Sequence, residues 1–411
     1  MKRSGAVDSA SIRERNLSLV LNHIRQAGTV SRAALVRHTG LSAGTISSLV
    51  NILLENEFVH EAGPGKSSGG RRPILLQFNY KARYLLGIDM GATHILAVLM
   101  DLQGCVVASK QVRYDVINDP DGTISTIIQM AQDLLTQMEL PPPIVIGMGI
   151  TLPTPLAGEN LDRLTTIYFP AWENRDIRAS ILPHFNIPIY IENDANAGAI
   201  AEKWWGNGRD YSNLAYIKLG TGVGSGLILN NEIFRGNGGT AGEIGHTTID
   251  PTGPTCRCGN QGCLEGMVGI PAIITEAQQR LRKDRPNWVS NTPLTINSII
   301  RAALSGDPTA RSIIENAGSI LGIGTANLVN VFNPGLVVLG GDLVAAGDLL
   351  LNAVRATVIR RAMPKASSEV KITVSSLGDD AVAIGAATLA MQNAFQPSNL
   401  MQTLEGSVVI A

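Results

Sequence analysis

Apolar positions in the first 80 residues recur with the period of a helix. Leu17, Val20, Leu21 and Ile24 share one helical face, Gly28 stops that run, and Ser31 opens a second helix through SRAALVRHT. A short turn, GLS at Gly40 to Ser42, leads into AGTISSLVNILLEN, whose buried stripe is Ile46, Leu49, Val50 and Leu53 and whose N-cap is Ser42. The outward positions at the start of this third helix, Ala43, Gly44, Thr45, Ser47 and Ser48, are small or polar, which suits close approach to the floor of a DNA major groove. Two strand-like runs follow, Phe58 to Glu61 and Ile74 to Phe78, around a Gly/Ser loop that ends in Arg71 and Arg72. The pattern predicts a winged helix-turn-helix over 1–80. Ser42, Thr45 and Ser48 would face the major groove, and the wing arginines would enter a narrow minor groove, where negative potential is focused. A three-helix protein-interaction module with a flexible basic linker fits the same apolar pattern.

Beyond Tyr80 the pattern turns to β and α/β. YLLGIDMGATHILAVLMDLQGCVVASKQVRYD predicts three strands joined by tight turns, with the small-residue loop DMGAT after the first. LAYIKLGTGVGSGLILNNEIFRG, Leu214 to Gly236, repeats that plan. Two such units predict a duplicated α/β fold whose halves, 81–198 and 199–380, face each other across a cleft, with a C-terminal helix over 381–411 joined to the first half. Each unit offers a glycine loop to a phosphate: Asp89, Gly91 and Thr93 in the first, Gly220, Thr221, Gly222 and Gly224 in the second. Hairpin turns also use glycine. A third element, GLVVLGGDLV, predicts a buried strand ending in Gly340 and Gly341, beside which either a nucleotide's adenosine or a packed helix would lie.

Charge changes the picture at one end only. The chain of 411 residues has a formal net charge of -1, yet residues 1–80 carry ten Lys and Arg against five Asp and Glu. That local excess fits a polyanion partner for the N-terminal part and none for the rest. No run of about 18 apolar residues occurs, and MKRSGAVDSASIRERN lacks the apolar core of a signal peptide, so the expectation is a cytoplasmic protein without a membrane partner. Four cysteines in a chain of this length argue against a disulfide framework, and a reducing compartment would keep them as metal ligands or buried thiols.

Three of those cysteines, Cys256, Cys258 and Cys263, lie together as C-x-C-x4-C with His246 ten residues upstream. Three thiolates and an imidazole suit a closed tetrahedral zinc site, which leaves no position for a catalytic water, so the metal would be structural. Buried free thiols are the alternative. Glu243 and Glu265 bracket the cluster, as sugar-hydroxyl acceptors or as ordinary surface glutamates. Elsewhere, an apolar strand from Ile187 to Ile191 delivers Glu192, Asn193 and Asp194 to its C-terminal end, where ligands bind in α/β folds. Asn193 could hydrogen-bond neighbouring hydroxyls and Asp194 could hold one and, in an enzyme, remove its proton; equally, either residue could simply cap the next helix.

LGTGVGSGL, ENDAN, GEIGH and CRCGNQGCLE, in that order, resemble the ROK family of repressors and sugar kinases, and the N-terminal segment with GGRRP resembles its repressor branch. The resemblance implies an actin-like, ribonuclease-H-like fold of two lobes with a sugar between them. It implies sugar contacts at Asn193, Asp194, Glu243, His246 and Glu265, and zinc ligands at His246, Cys256, Cys258 and Cys263. Two positions depart from the kinase pattern: Ala92 stands for the second glycine of D-x-G-G-T, and Thr154 for the glycine of I-P-G-P. The expectation is therefore a sugar-responsive repressor of carbohydrate-utilisation genes, acting on operator DNA as a homodimer or homotetramer. The alternative is an ATP- and Mg-dependent sugar kinase with Asp194 as its base.

Overall fold

A computed structural model describes residues 9–65, 72–139, 144–157, 163–164, 169–284 and 293–405. Its first three helices are Ser9–Ala27, Arg32–Thr39 and Ala43–Glu55. The turn between the last two is made by Gly40, left-handed at φ 71°, whose N–H bonds the Val36 carbonyl, and by Ser42, whose Oγ accepts from the Thr45 N–H at 3.1 Å. Ile46, Leu49, Val50 and Leu53 form the buried stripe of the third helix. Strands Val59–Pro64 and Ile74–Phe78 pair antiparallel, and a short strand, Thr29–Ser31, pairs with the other edge of Ile74–Phe78. The sequence pattern does not announce that short strand, because Ser31 is at once its end and the N-cap of the next helix, accepting from Ala34 N at 3.2 Å.

Two five-stranded sheets follow, and their topologies are the same. In chain order the first has Tyr84–Met90, His94–Asp101, Val106–Arg113, Val145–Leu152 and Ile189–Asn193; the second has Leu214–Leu219, Val223–Leu229, Glu232–Ile233, Leu336–Gly340 and Lys371–Val374. In each, strands one to three form an antiparallel meander, while strands four and five add in parallel to the free edge of strand one. Crossover helices cover the sheets, so strands such as Tyr84–Met90 and Val145–Leu152 are buried throughout and largely apolar, with Asp89 and Thr151 near their C-terminal ends.

Helices Asp194–Trp204 and Ala381–Ala394 lie packed together between the two sheets. Glycine makes this close approach possible. A Cβ on Gly87 or Gly149 of the first sheet would overlap the carbonyl oxygens of Ala383 and Ala386, and one on Gly385 would overlap that of Ala197. Gly226 of the second sheet meets the Ala195 carbonyl in the same way. At its C-terminal end helix Ala381–Ala394 reaches the N-terminal module. Phe395 stands edge-on to Phe58 and Phe78, with centroids 6.2 and 6.4 Å away, and its carbonyl accepts from Ser18 Oγ. Leu400 and Leu404 of helix Pro397–Glu405 join the same core as Leu17, Leu21 and Leu53. Among the described residues no helix is long and apolar enough to cross a membrane.

Candidate functional site

Strand Ile189–Asn193 ends where helix Asp194–Trp204 begins, and the two readings of Asn193 are compatible. Its Oδ1 caps the helix, accepting from the N–H groups of Ala195 and Asn196 at 2.9 and 3.1 Å, while its Nδ2 donates to the Thr154 carbonyl at 3.2 Å. The amide thus ties the strand end to the segment where Thr154 stands. Asp194, at the first position of the helix, is bound by Lys218 Nζ at 2.7 Å. Lys218 also approaches Asp89 Oδ1 at 3.8 Å, so one ammonium group from the second half lies between two carboxylates of the first. Asp89 is 3% exposed. Its burial opposes ionisation, but Lys218 together with hydrogen bonds from His94 and Thr151 outweighs it and holds the carboxyl at about 2. Lys218 shows the mirror case: burial pulls its pKa down, and Asp194 and Asp89 reverse that and raise it.

The second half contributes Glu243, His246 and Glu265. Glu265 is 6% exposed, which removes the surface reading for this residue. Arg257 Nε binds its Oε1 at 2.6 Å, and its Oε2 accepts from Val223 N at 3.0 Å, so the carboxylate anchors the second glycine loop. Glu243 is pushed up to about 7, by burial first and then by the charges of Asp194 and Glu265. His246 has two faces. Its Nδ1 lies 3.8 Å from Cys256 Sγ and its Nε2 lies 3.9 Å from Glu243 Oε2.

His246, Cys256, Cys258 and Cys263 bring one donor atom each within 4.8 Å of one another, a group that could hold a metal ion. Cys258 and Cys263 sulfurs are 3.7 Å apart. Burial, then the neighbouring thiols, push Cys263 up to about 12, and burial raises Cys256 as well, whereas the Asn260 backbone N–H lowers Cys258. Cys105, the fourth cysteine, stands exposed on the first half.

The glycine loops lie at the ends of the first strands of the two sheets. Gly91 N–H bonds the His94 carbonyl at 3.0 Å and Gly220 N–H that of Gly222 at 3.0 Å, while the Thr93 carbonyl accepts from Tyr114 N. Gly224, on the next strand, packs on Ala195, and Thr221 gives its carbonyl to the surroundings of Gly269. At the end of strand Leu336–Gly340, Gly340 leaves room for the Tyr216 hydroxyl and Gly341 is left-handed at φ 87°, so packing accounts for both. In the N-terminal module Ser42 and Ser48 are exposed and Thr45 is half-buried, Ser42 and Thr45 joining their hydroxyls at 2.8 Å. Arg72 is exposed; Arg71 lies outside the described residues. Residue-type reasoning missed Lys218, Arg257 and His94. It also missed the role of Glu192, 2% exposed, which Arg235 Nη2 binds at 2.6 Å and which accepts from Asn196 Nδ2 at 3.0 Å. The one sequence signal for Lys218 is a lysine within the apolar run LAYIKLG, directly before the glycine loop.

The ROK family model matches residues 85–393, which include both sheets, the cleft carboxylates and the cysteine cluster. The chain belongs to the ROK family. Among ROK proteins, a xylose repressor of Bacillus subtilis (strain 168) is 36% identical over 389 residues, covering 94% of this chain and 97% of that one. A solved ROK family transcriptional regulator, described as a homolog of the E. coli MLC protein, superposes with a TM-score of 0.81 at 27% identity, over 96% of this chain and 100% of its own. A ROK family glucokinase from Streptomyces griseus, in complex with glucose and AMPPNP, gives a TM-score of 0.67 at 28% identity over 75% of this chain and 99% of its own. The kinase accounts for a share of the chain similar to the family segment, whereas the regulator extends over nearly all of it.

Proposed function

We propose that this ROK protein is a sugar-responsive repressor of carbohydrate genes, with a winged helix-turn-helix in 1–80 and an actin-like two-lobed sugar-binding part built from 81–198 with 381–411 and from 199–380. The observation that carries the reading is similarity to repressors along almost the full chain, N-terminal helices and strands included. The exposed start of helix Ala43–Glu55, with Ser42, Thr45 and Ser48, would enter the major groove, and Arg71 and Arg72 of the wing would contact the minor groove. Paired half-sites call for a homodimer or homotetramer. Between the lobes Asn193, Asp194, Glu243, His246 and Glu265 would hold sugar hydroxyls, with xylose the first sugar to test because a close relative is a xylose repressor.

His246 Nδ1, Cys256, Cys258 and Cys263 would hold structural zinc. A tetrahedron with bonds of about 2.3 Å has edges of about 3.8 Å, and the 3.7 and 3.8 Å separations of the donors support that fit. The metal's contribution is to fix the loop. The chain then does the rest: with Nδ1 committed, Nε2–H of His246 points towards Glu243 and is set as a donor for the cleft. Lys218 fixes the Asp194 carboxylate in place as a hydroxyl acceptor, and Arg257 does the same for Glu265.

Duplex DNA selected by the full-length protein from a random pool, then titrated with xylose, glucose and N-acetylglucosamine, tests the function. The expected result is sequence-selective binding that one of these sugars changes at least tenfold. Binding that no sugar alters, in protein shown to be folded, would sink the sensor reading.

A further inference from the structure

Asp89 from the first half and Asp194 at the lobe boundary both face Lys218, and phosphoryl transfer would ask for a divalent ion and nucleotide phosphates near such carboxylates. We propose that the Lys218 ammonium is the resident cation of this cleft, occupying the place between Asp89 and Asp194 and so making the site one that takes sugar but neither nucleotide nor divalent ion. The inference rests on the sensor reading above and extends it to the class of ligand that the site refuses.

Three observations carry it. The ammonium is 2.7 Å from Asp194 Oδ2 and 3.8 Å from Asp89 Oδ1, with a side chain only 16% exposed, so the two carboxylates already share one positive charge that cannot diffuse away. A divalent ion placed on either carboxylate would be a near neighbour of this like charge, in a site with little water to screen it. Next, His94 covers the first glycine loop. A Cβ on Gly91 would overlap its imidazole, and Nε2 is 3.4 Å from Asp89 Oδ2. Finally, N–H groups that such loops turn towards phosphate are engaged within the chain: Gly91 with the His94 carbonyl, Gly220 with that of Gly222, and Val223 with the Glu265 carboxylate. The same ion pair holds Asp194 in one position, where it serves as a fixed acceptor of a hydroxyl hydrogen bond.

The test uses full-length protein with Mn2+ and with Mn2+·AMPPNP as probes, followed by electron paramagnetic resonance. Asp89→Asn serves as the reference in every background, so that any manganese at the cysteine cluster cancels. Wild type is expected to bind neither probe beyond its Asp89→Asn counterpart. Lys218→Met, which keeps the chain's bulk, and Lys218→Ala are expected to bind Mn2+ about tenfold more tightly or better, and to lose that gain when Asp89→Asn is added. Wild type binding Mn2+·AMPPNP with an affinity lost in Asp89→Asn overturns the proposal, as do folded Lys218 variants that bind no more Mn2+ than wild type. If neither variant folds, the wild-type titration decides alone: binding dependent on Asp89 overturns the proposal, and its absence supports it. A wild type that changes DNA affinity with sugar and also binds Mn2+·AMPPNP refutes the lysine's role while leaving the sensor intact. A wild type whose DNA binding ignores every sugar refutes the sensor itself.

Discussion

Asp89 and Lys218 show how a single buried pair sets both stability and chemistry. Asp89 is held at about 2 against an ordinary 3.8, a difference worth about 2 kcal/mol. Because the folded value is the lower one, this stabilisation is complete above the ordinary aspartate range and is lost as pH falls from there towards 2. Asp89→Asn should therefore lower the melting temperature at pH 7 by several degrees, at about 2–4 °C per kcal/mol. The gap from wild type should narrow as pH is lowered from 5 towards 3. A pH-independent gap in differential scanning fluorimetry would show that the carboxylate's charge is not what matters. At the cysteine cluster, Cys258→Ser should lower bound zinc and weaken sugar affinity together, by about 10–100-fold, because His246 and Glu243 would lose their fixed setting. Elemental analysis and calorimetry check this, and full sugar affinity in metal-free variant protein would separate the two sites.

Helix Asp194–Trp204 is the element that spans from cleft to N-terminal module. Its first residue meets Lys218 in the cleft; its last, Trp204, lies under the Arg25 guanidinium, 5.0 Å from the ring centroid. Eleven residues make a rod of about 16 Å. A partly buried cation–π contact contributes about 1–2 kcal/mol. If the rod couples the ends, Trp204→Ala should leave sugar affinity for the DNA-free protein within a few fold, yet cut the sugar's effect on DNA affinity by about 5–30-fold. An unchanged sugar response in fluorescence anisotropy would remove this route. Packing around the same helix allows no added atoms, since a Cβ on Gly385 would overlap the Ala197 carbonyl. Gly385→Ala should cost about 1–3 kcal/mol or more, visible as a lower melting temperature, and an unchanged melting point would mean the two helices can move apart freely.

At the scale of the whole molecule, the N-terminal module is not packed only on itself. Leu17, Leu21, Phe58 and Phe78 share a core with Phe395, Leu400 and Leu404, so the last described helix closes what the first three leave open. Replacing Leu400 and Leu404 with alanine should cost about 2–5 kcal/mol each. It should loosen helix Ser9–Ala27 in hydrogen exchange and weaken DNA binding while sparing sugar binding. Protection of that helix equal to wild type would mean that the module holds its own core.

What the sequence determined by itself is what short spacing encodes. The helical stripe of Ile46, Leu49, Val50 and Leu53, the Ser42 cap, the two glycine-loop hairpins and the Cys256, Cys258, Cys263 and His246 donors all depend on neighbours within a turn, a hairpin or one loop. The edge strand Thr29–Ser31, the burial of Glu265, the Glu192–Arg235 pair and the closing of the N-terminal core by Leu400 and Leu404 were decided by tertiary structure alone. So was the placing of Lys218 between Asp89 and Asp194. These features depend on which distant surfaces meet, and an ion pair between separate halves leaves no periodic trace along the chain, because its energy depends on distance and burial and not on sequence separation.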